Sequence, residues 1–287
     1  MVCYNETTED KTPKERLEKT MNANLEYTLM NGRTSRTEMF KSEKENMIIG
    51  RNPVREALLS GQTIDTVYVS GGNGLHEIRM LAQEKGAVVK TVSDQKLSQM
   101  CGDGVHQGVI AFGACAAYVT VEDLLEVSKK KGTAPFIIIC DEIEDPHNLG
   151  AIIRIAECAG AHGVIIPKRR SATLTATAVK ASAGAAEHLP VAKVSNLSSA
   201  IELLKKNGVW VYALEADGAP YKSFKYDGGR AFVLGSEGEG VSRLVRENCD
   251  FVVSIPMKGK INSLNVSAAA AVVLFEASDF RSRTLSK

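Results

Sequence analysis

Five short runs rich in valine and isoleucine, at 136–140, 163–166, 209–214, 231–235 and 251–255, alternate with helical patterning at about 149–159, 173–186, 197–207, 241–247 and 264–279. Continuous apolar runs of this length mark strands buried on both faces, as in a parallel sheet covered by helices. The alternation makes the fold class α/β, with a parallel-sheet domain over 135–287. It also says where to look for chemistry, because ligands of open parallel sheets bind at the carboxyl ends of the strands. The Ala-rich stretch Ala172–Ala186 is expected to be a helix with a small-residue face.

A smaller unit precedes this domain. Met47-Ile48-Ile49-Gly50 predicts a strand, and Asn52-Pro53 opens a helix through Leu59, with Asn52 as N-cap and Pro53 at the first helical position. Strands at 64–69, 87–92 and 109–112 and helices at 75–85 and 94–100 complete a small α/β domain over 47–120. Residues 121–134 hold an amphipathic helix ending in Lys129-Lys130-Lys131-Gly132, and this stretch is expected to be a linker. Residues 1–46 have few clustered hydrophobes and many Lys, Glu, Thr and Asn, so they read as a polar, disordered or weakly helical extension, or as a gene-start artefact.

Three blocks carry polar residues where the large sheet's strands end. The first is Asp145-Pro146-His147-Asn148-Leu149-Gly150-Ala151-Ile152-Ile153-Arg154. Asn148 is a candidate cap or a site residue, and Arg154 a surface residue or a catalytic one. The second is Gly235-Ser236-Glu237-Gly238-Glu239-Gly240 after an apolar strand. It lacks the Lys-Ser/Thr of a phosphate loop and the spacing of a dinucleotide fingerprint. Its carboxylates suit a cationic or ribose-bearing ligand, or the loop is a plain strand–helix turn. The third is Ser254-Ile255-Pro256-Met257-Lys258-Gly259 followed by Asn262-Ser263-Leu264-Asn265-Val266-Ser267. Asn262 or Ser263 could cap the following helix, yet the block has more hydrogen-bonding capacity than one cap requires.

Composition narrows the classes. A chain of 287 residues with 44% hydrophobic and 24% charged residues suits two ordinary globular domains. Net charge is +1, which argues against a binder whose affinity is mostly charge, though basic residues can gather on one face. No apolar run approaches the ~20 residues of a membrane helix, and the N-terminus has no apolar signal-peptide core, so no membrane partner is expected. The six cysteines form no C-x-x-C pair and no metal-ligand spacing, which fits a reduced, cytoplasmic protein with no bound metal.

In order and spacing, the three blocks resemble the three motifs of the SpoU branch of the SPOUT RNA methyltransferases. The resemblance covers Met47 to the C-terminus. Asn148 and Arg154 match its first motif, Glu237 the second, and Ser263 and Asn265 the third. Asp145-Pro146-His147-Asn148-Leu149-Gly150, with Gly104-Val105-His106-Gln107-Gly108, is more similar to the enzymes that methylate a guanosine ribose in 23S rRNA than to the tRNA enzymes, and Gly50-Arg51-Asn52-Pro53-Val54 resembles the start of the small substrate-binding domain of that subgroup. The resemblance implies a knotted catalytic domain, a preceding substrate-binding domain like ribosomal protein L30e, and a homodimer with its site near the interface. It implies S-adenosylmethionine as cofactor, with backbone contacts from Gly235, Ile255 and Leu264. The catalytic set would be Asn148, Arg154, Glu237, Ser263 and Asn265, acting on an RNA 2′-hydroxyl. Three rivals stay open: a tRNA guanosine 2′-O-methyltransferase, a catalytically inactive RNA-binding homologue, and an unrelated nucleotide-dependent α/β enzyme.

Overall fold

A computed structural model describes residues 46–72 and 74–285, with side chains through residue 280. The extension read over 1–46 lies outside the described residues but for Asn46.

The small lobe is a four-stranded sheet in the order β1-β4-β2-β3, made of β1 (Met47–Ile49), β2 (Ile64–Val69), β3 (Val88–Thr91) and β4 (Val109–Gly113). Helices α1 (Arg51–Leu59) and α2 (His76–Glu84) cover one face, and α3 (Asp94–Cys101) the other. Strand alternation sorts the cores: Val109 and Ala111 pack with Val54, Leu58 and Ile78, while Ile110 packs with Leu97. The predicted cap of α1 is corrected. Its N-cap is Gly50, and Asn52 lies inside the first turn. The first helical amide, Arg51 N, instead donates to Gln107 Oε1 at 3.0 Å, so a distant loop does what a capping side chain would do.

The large sheet has six strands in the order β10-β8-β9-β5-β6-β7, and every neighbouring pair is parallel. These are β5 (Phe136–Cys140), β6 (Gly163–Pro167), β7 (Val191–Val194), β8 (Val209–Pro220), β9 (Gly229–Leu234) and β10 (Phe251–Ser254). Phe136 and Ile138 face a layer containing α5 (Pro146–Cys158), α6 (Ala176–Ala181) and α9 (Val266–Leu285). Ile137 and Ile139 face α4 (Val121–Lys130), α7 (Leu197–Lys206) and α8 (Arg243–Glu247).

Several expectations change here. The stretch 121–134, read as a linker, is no free tether: α4 starts on a Thr120–Asp123 capping box and buries Val121, Leu124 and Leu125 against β5 and β6. Strand β7 is additional; it is a sheet edge whose Lys193 interrupts the apolar run. The helix expected over 173–186 is shorter, because Thr175 caps it and a 3-10 turn follows at Ala185–Glu187. It packs so closely on α5 that a Cβ at Gly150 would lie 2.3 Å from the Ala178 carbonyl oxygen.

The lobes are joined by a buried cluster. Asp65 on β2 and Lys193 on β7 form an ion pair of 2.5 Å, with side chains only 4% and 6% exposed. The Tyr118 hydroxyl donates to Asp65 Oδ2 at 3.2 Å and accepts from the Leu174 amide at 3.0 Å. The Lys193 ammonium lies 4.8 Å from the Tyr118 ring centre. Burial, and then the Asp65 charge, raises the Tyr118 pKa, so its hydroxyl stays protonated as a donor. Lys193→Ala strands the Asp65 carboxylate and is expected to cost ~3–5 kcal/mol in denaturant melts, whereas Asp65→Leu/Lys193→Met should recover most of that loss. Equal destabilisation by the single and double changes would show that the pair itself is not what matters.

Candidate active site

Strand exits build the site. The register between β8 and β10 jumps from Ala213–Val252 to Ala219–Val253. The intervening residues bulge, and Leu214, Glu215 and Ala216 line a cavity of about 860 Å³. The loop after β9 forms a second wall. Ser236 and Gly240 exchange both backbone hydrogen bonds at 3.0 Å, closing a tight hairpin that projects Glu237. Closure needs glycine at 235, where a Cβ would lie 2.1 Å from the Gly240 carbonyl carbon. The third wall is the segment from Ile255 to Val266, with Met257, Ser263 and Leu264 facing the same space.

A second cavity of about 360 Å³ lies beside the first. Glu142, Asp145 and Asn148 line it, and it shares Ser236, Glu237 and Val266 with its larger neighbour. Glu237 therefore stands on the wall between the two. Its Oε1 accepts from Asn148 Nδ2 at 3.1 Å and from Asn265 Nδ2 at 2.6 Å, and Asn265 Nδ2 also reaches Asn148 Oδ1 at 2.9 Å. The third and first blocks thus meet the second at one carboxylate, although Asn148 and Asn265 are 117 positions apart.

The caps are reassigned. Asp145 caps α5 by accepting from the His147 amide at 3.0 Å, with Pro146 in the first turn, so Asn148 is freed from that duty. Neither Asn262 nor Ser263 caps α9. Asn265 Oδ1 accepts from the Ser267 amide and hydroxyl at 3.0 and 2.6 Å. One end of the Asn265 amide group therefore holds the helix while the other holds Glu237.

Of the candidate residues, Asn148, Glu237, Ser263 and Asn265 border these cavities, as do Gly235, Ile255 and Leu264. Arg154 borders neither. It is exposed on α5, six residues beyond Asn148, which places it about 9 Å along the axis and about 120° around it.

Two carboxylates escaped the sequence reading. Glu215 accepts a short hydrogen bond from the Val241 amide, and buried Asp141 accepts from the Ser242 amide at 2.8 Å. Together they fix the outgoing limb of the glycine-rich hairpin. Both directly follow apolar strand runs, at 136–140 and 209–214, where the strand-end rule points to ligand-binding groups. Near the site, burial pushes the Cys140 thiol up to about 12, which keeps it protonated and unsuited to nucleophilic attack.

Comparison with known proteins agrees with this architecture. Residues 135–275 match the model of the SpoU rRNA methylase family, and residues 47–118 match that of the RNA 2′-O ribose methyltransferase substrate-binding domain. A Staphylococcus aureus protein assigned to the TrmH family of tRNA/rRNA methyltransferases is 44% identical over 244 residues, spanning 84% of this chain and 97% of its own length. A Bacillus subtilis protein of the same assignment is 41% identical over 239 residues, spanning 82% and 96%. The crystal structure of an AdoMet-bound rRNA methyltransferase from Sinorhizobium meliloti superposes with a TM-score of 0.51 at 25% identity, covering 81% of this chain and 86% of that one. With two family domains in tandem and relatives matched over nearly their whole length, the chain belongs to the SpoU/TrmH family of RNA methyltransferases.

Proposed function

We propose that this protein transfers a methyl group from S-adenosylmethionine to a ribose 2′-hydroxyl of RNA, at a guanosine of 23S rRNA. The observation that carries the reading is the position of Glu237, on the wall between a large cavity and a small one, with Asn148 and Asn265 bonded to it. The large cavity fits the cofactor in donor chemistry. Leu214, Pro256, Met257 and Leu264 offer apolar wall for a base, while Glu215 and Glu239 offer negative charge to a cationic ligand. When bound, S-adenosylmethionine supplies a methyl group on a positively charged sulfur, so the acceptor oxygen needs alignment and removal of a proton. Gly235, Ile255 and Leu264 are assigned to backbone contacts with it.

The small cavity would take the ribose. Asn148 and Asn265 orient Glu237 through Oε1, and among the described residues no donor binds Oε2. That oxygen is left to accept the hydroxyl proton or to orient Arg154. Ser263 positions the cofactor loop. Arg154 is permanently cationic and so is no base; it grips a flanking phosphate and steadies the developing alkoxide.

The protein is further read as a homodimer. Arg154 stands away from the cavities of its own chain, and α9, packed along α5, exposes Val272 and Phe275. A second copy would cover that apolar surface and bring its own Arg154 to the first copy's site. The catalytic half is read as knotted, a reading that rests on its match to the SpoU family. The small lobe is read as an L30e-like reader of RNA shape and unpaired bases, and its presence favours rRNA over tRNA. Mapping ribose methylation in rRNA from cells lacking the gene is expected to reveal one missing 2′-O-methylguanosine in 23S rRNA. An intact 23S pattern with a ribose methyl lost from tRNA would move the substrate to tRNA.

A further inference from the structure

β6 ends at Pro167, and Lys168, Arg169 and Arg170 follow it at the same sheet edge as the loops that form the two cavities. β6 lies directly beside β5, whose exit residues Glu142 and Asp145 line the smaller cavity. The two exits are fastened together. Arg170 Nη1 pairs with Glu142 Oε1 at 2.8 Å, and the Ala172 amide donates to the Ile143 carbonyl at 2.7 Å. Both members of the ion pair hold left-handed backbone, with φ of 52° at Arg170 and 57° at Glu142. Side chains other than glycine rarely adopt that conformation, and such strain gathers at functional sites.

Two of the three cations of this loop, Arg169 and Arg170, are open to a ligand, and Lys168 is half-buried. Arg169 is exposed, and the Arg170 side chain is 76% exposed although one of its nitrogens is paired. Among the described residues, neither Lys168 nor Arg169 makes an ion pair. Lys168 also reaches the small lobe: its Nζ lies 3.3 Å from where a Cβ on Gly86 would be. The loop therefore runs from the small lobe to the rim of the smaller cavity. Three consecutive cations are a strong local excess in a chain with 35 basic and 34 acidic residues.

We propose that Lys168-Arg169-Arg170 is a clamp for the RNA backbone, holding phosphates next to the acceptor nucleotide as the strand passes from the small lobe to the small cavity. The proposal rests on the RNA methyltransferase reading above and adds the residues that hold its substrate. Guanidinium groups and an ammonium are the usual partners of phosphate oxygens. The carboxylates of Glu142, Glu144, Asp145 and Glu237 in the cavity repel phosphate, so backbone charge stays at the rim while a neutral ribose enters. This division explains how a nearly neutral protein can select RNA locally.

The test compares full-length Lys168→Gln/Arg169→Gln with Lys130→Gln/Lys131→Gln. The second variant removes the same charge at the end of α4, just before β5 begins and hence at the opposite sheet edge. Binding to transcribed 23S rRNA is measured across a salt series, alongside S-adenosylmethionine titration and melting temperature. Loss of two phosphate contacts is expected to weaken RNA binding on the order of tenfold at low salt and to reduce the slope of log affinity against log salt by about 1.4. Cofactor affinity and melting temperature should match the unmodified protein, and the α4 variant should keep the full slope. An unchanged slope in the loop variant, or an equal loss in both, overturns the clamp. The clamp is judged on binding alone. Absence of methyl transfer by the unmodified protein would count against the proposed function instead.

Discussion

Arg154→Ala is expected to lower turnover on the order of 10²–10³-fold, the usual cost of removing a group that stabilises charge formed only in the transition state, while S-adenosylmethionine affinity stays unchanged. The separation follows from geometry: Arg154 touches neither cavity of its own chain, whereas the cofactor assignment falls on the β9 hairpin and the Ile255–Val266 segment. If the residue acts in a partner's site, complementation should reveal it. Glu237→Ala should also be inactive, but a dimer of Arg154→Ala with Glu237→Ala has one intact site, combining Glu237 of one copy with Arg154 of the other. Random subunit exchange between equal amounts of the two should then restore about a quarter of unmodified activity, as the two-fold symmetry of such a dimer requires. Mixtures that stay inactive after verified exchange would place Arg154 in its own chain's site. Near-normal turnover by Arg154→Ala would remove it from the chemistry.

The second large effect is expected from the smallest change at the site. Gly235→Ala puts a methyl group 2.1 to 2.3 Å from backbone atoms of Gly240 and Val241. No flexible side chain can give way there, so the Ser236–Gly240 hairpin must open and Glu237 must move with it. At ~3 kcal/mol of overpacking strain, cofactor affinity falls on the order of 100-fold. Gly259→Ala is the matched control, since a Cβ there meets nothing within 4 Å and it lies in the same cluster of loops. Calorimetric titration should find binding lost in the first variant and retained in the second. Equal affinities would mean that the hairpin does not shape the cofactor cavity.

The strands of the large sheet were legible because burial on both faces leaves an uninterrupted apolar run, as in Phe136-Ile137-Ile138-Ile139-Cys140. β7 was illegible for the same reason: it is an edge, and its Lys193 serves an ion pair with Asp65, a residue 128 positions away. The start of α1 was illegible because a distant residue, Gln107, meets its first amide, whereas α5 and α9 start on local caps, Asp145 and Asn265, that stand among several polar neighbours equally able to cap. At the site, the polar blocks were visible because each leaves a strand's carboxyl end. That Asn148, Glu237 and Asn265 share one carboxylate oxygen depends on β9 lying beside β5, and strand neighbours are not written in local periodicity. Glu215 follows a strand run and so lay within reach of the strand-end rule, but the bulge that aims it at the cavity arises where β8 shifts register against β10, some forty residues later. Arg154 could be named from its motif, but no property of its own segment says which chain's site it serves.

The reaction proposed for this protein delivers the methyl group to a ribose oxygen. The direct measurement is alkaline hydrolysis of transcribed 23S rRNA after incubation with this protein and S-adenosylmethionine carrying a labelled methyl group. Alkali cleaves RNA through attack of the 2′-oxygen on the neighbouring phosphate, and a methylated 2′-oxygen cannot attack. The label is expected to remain in alkali-resistant dinucleotides and to yield a 2′-O-methyl nucleoside on enzymatic digestion. Label released wholly in mononucleotides would mean that a base had been methylated, and the roles assigned to Glu237, Asn148, Asn265 and Arg154 would be wrong.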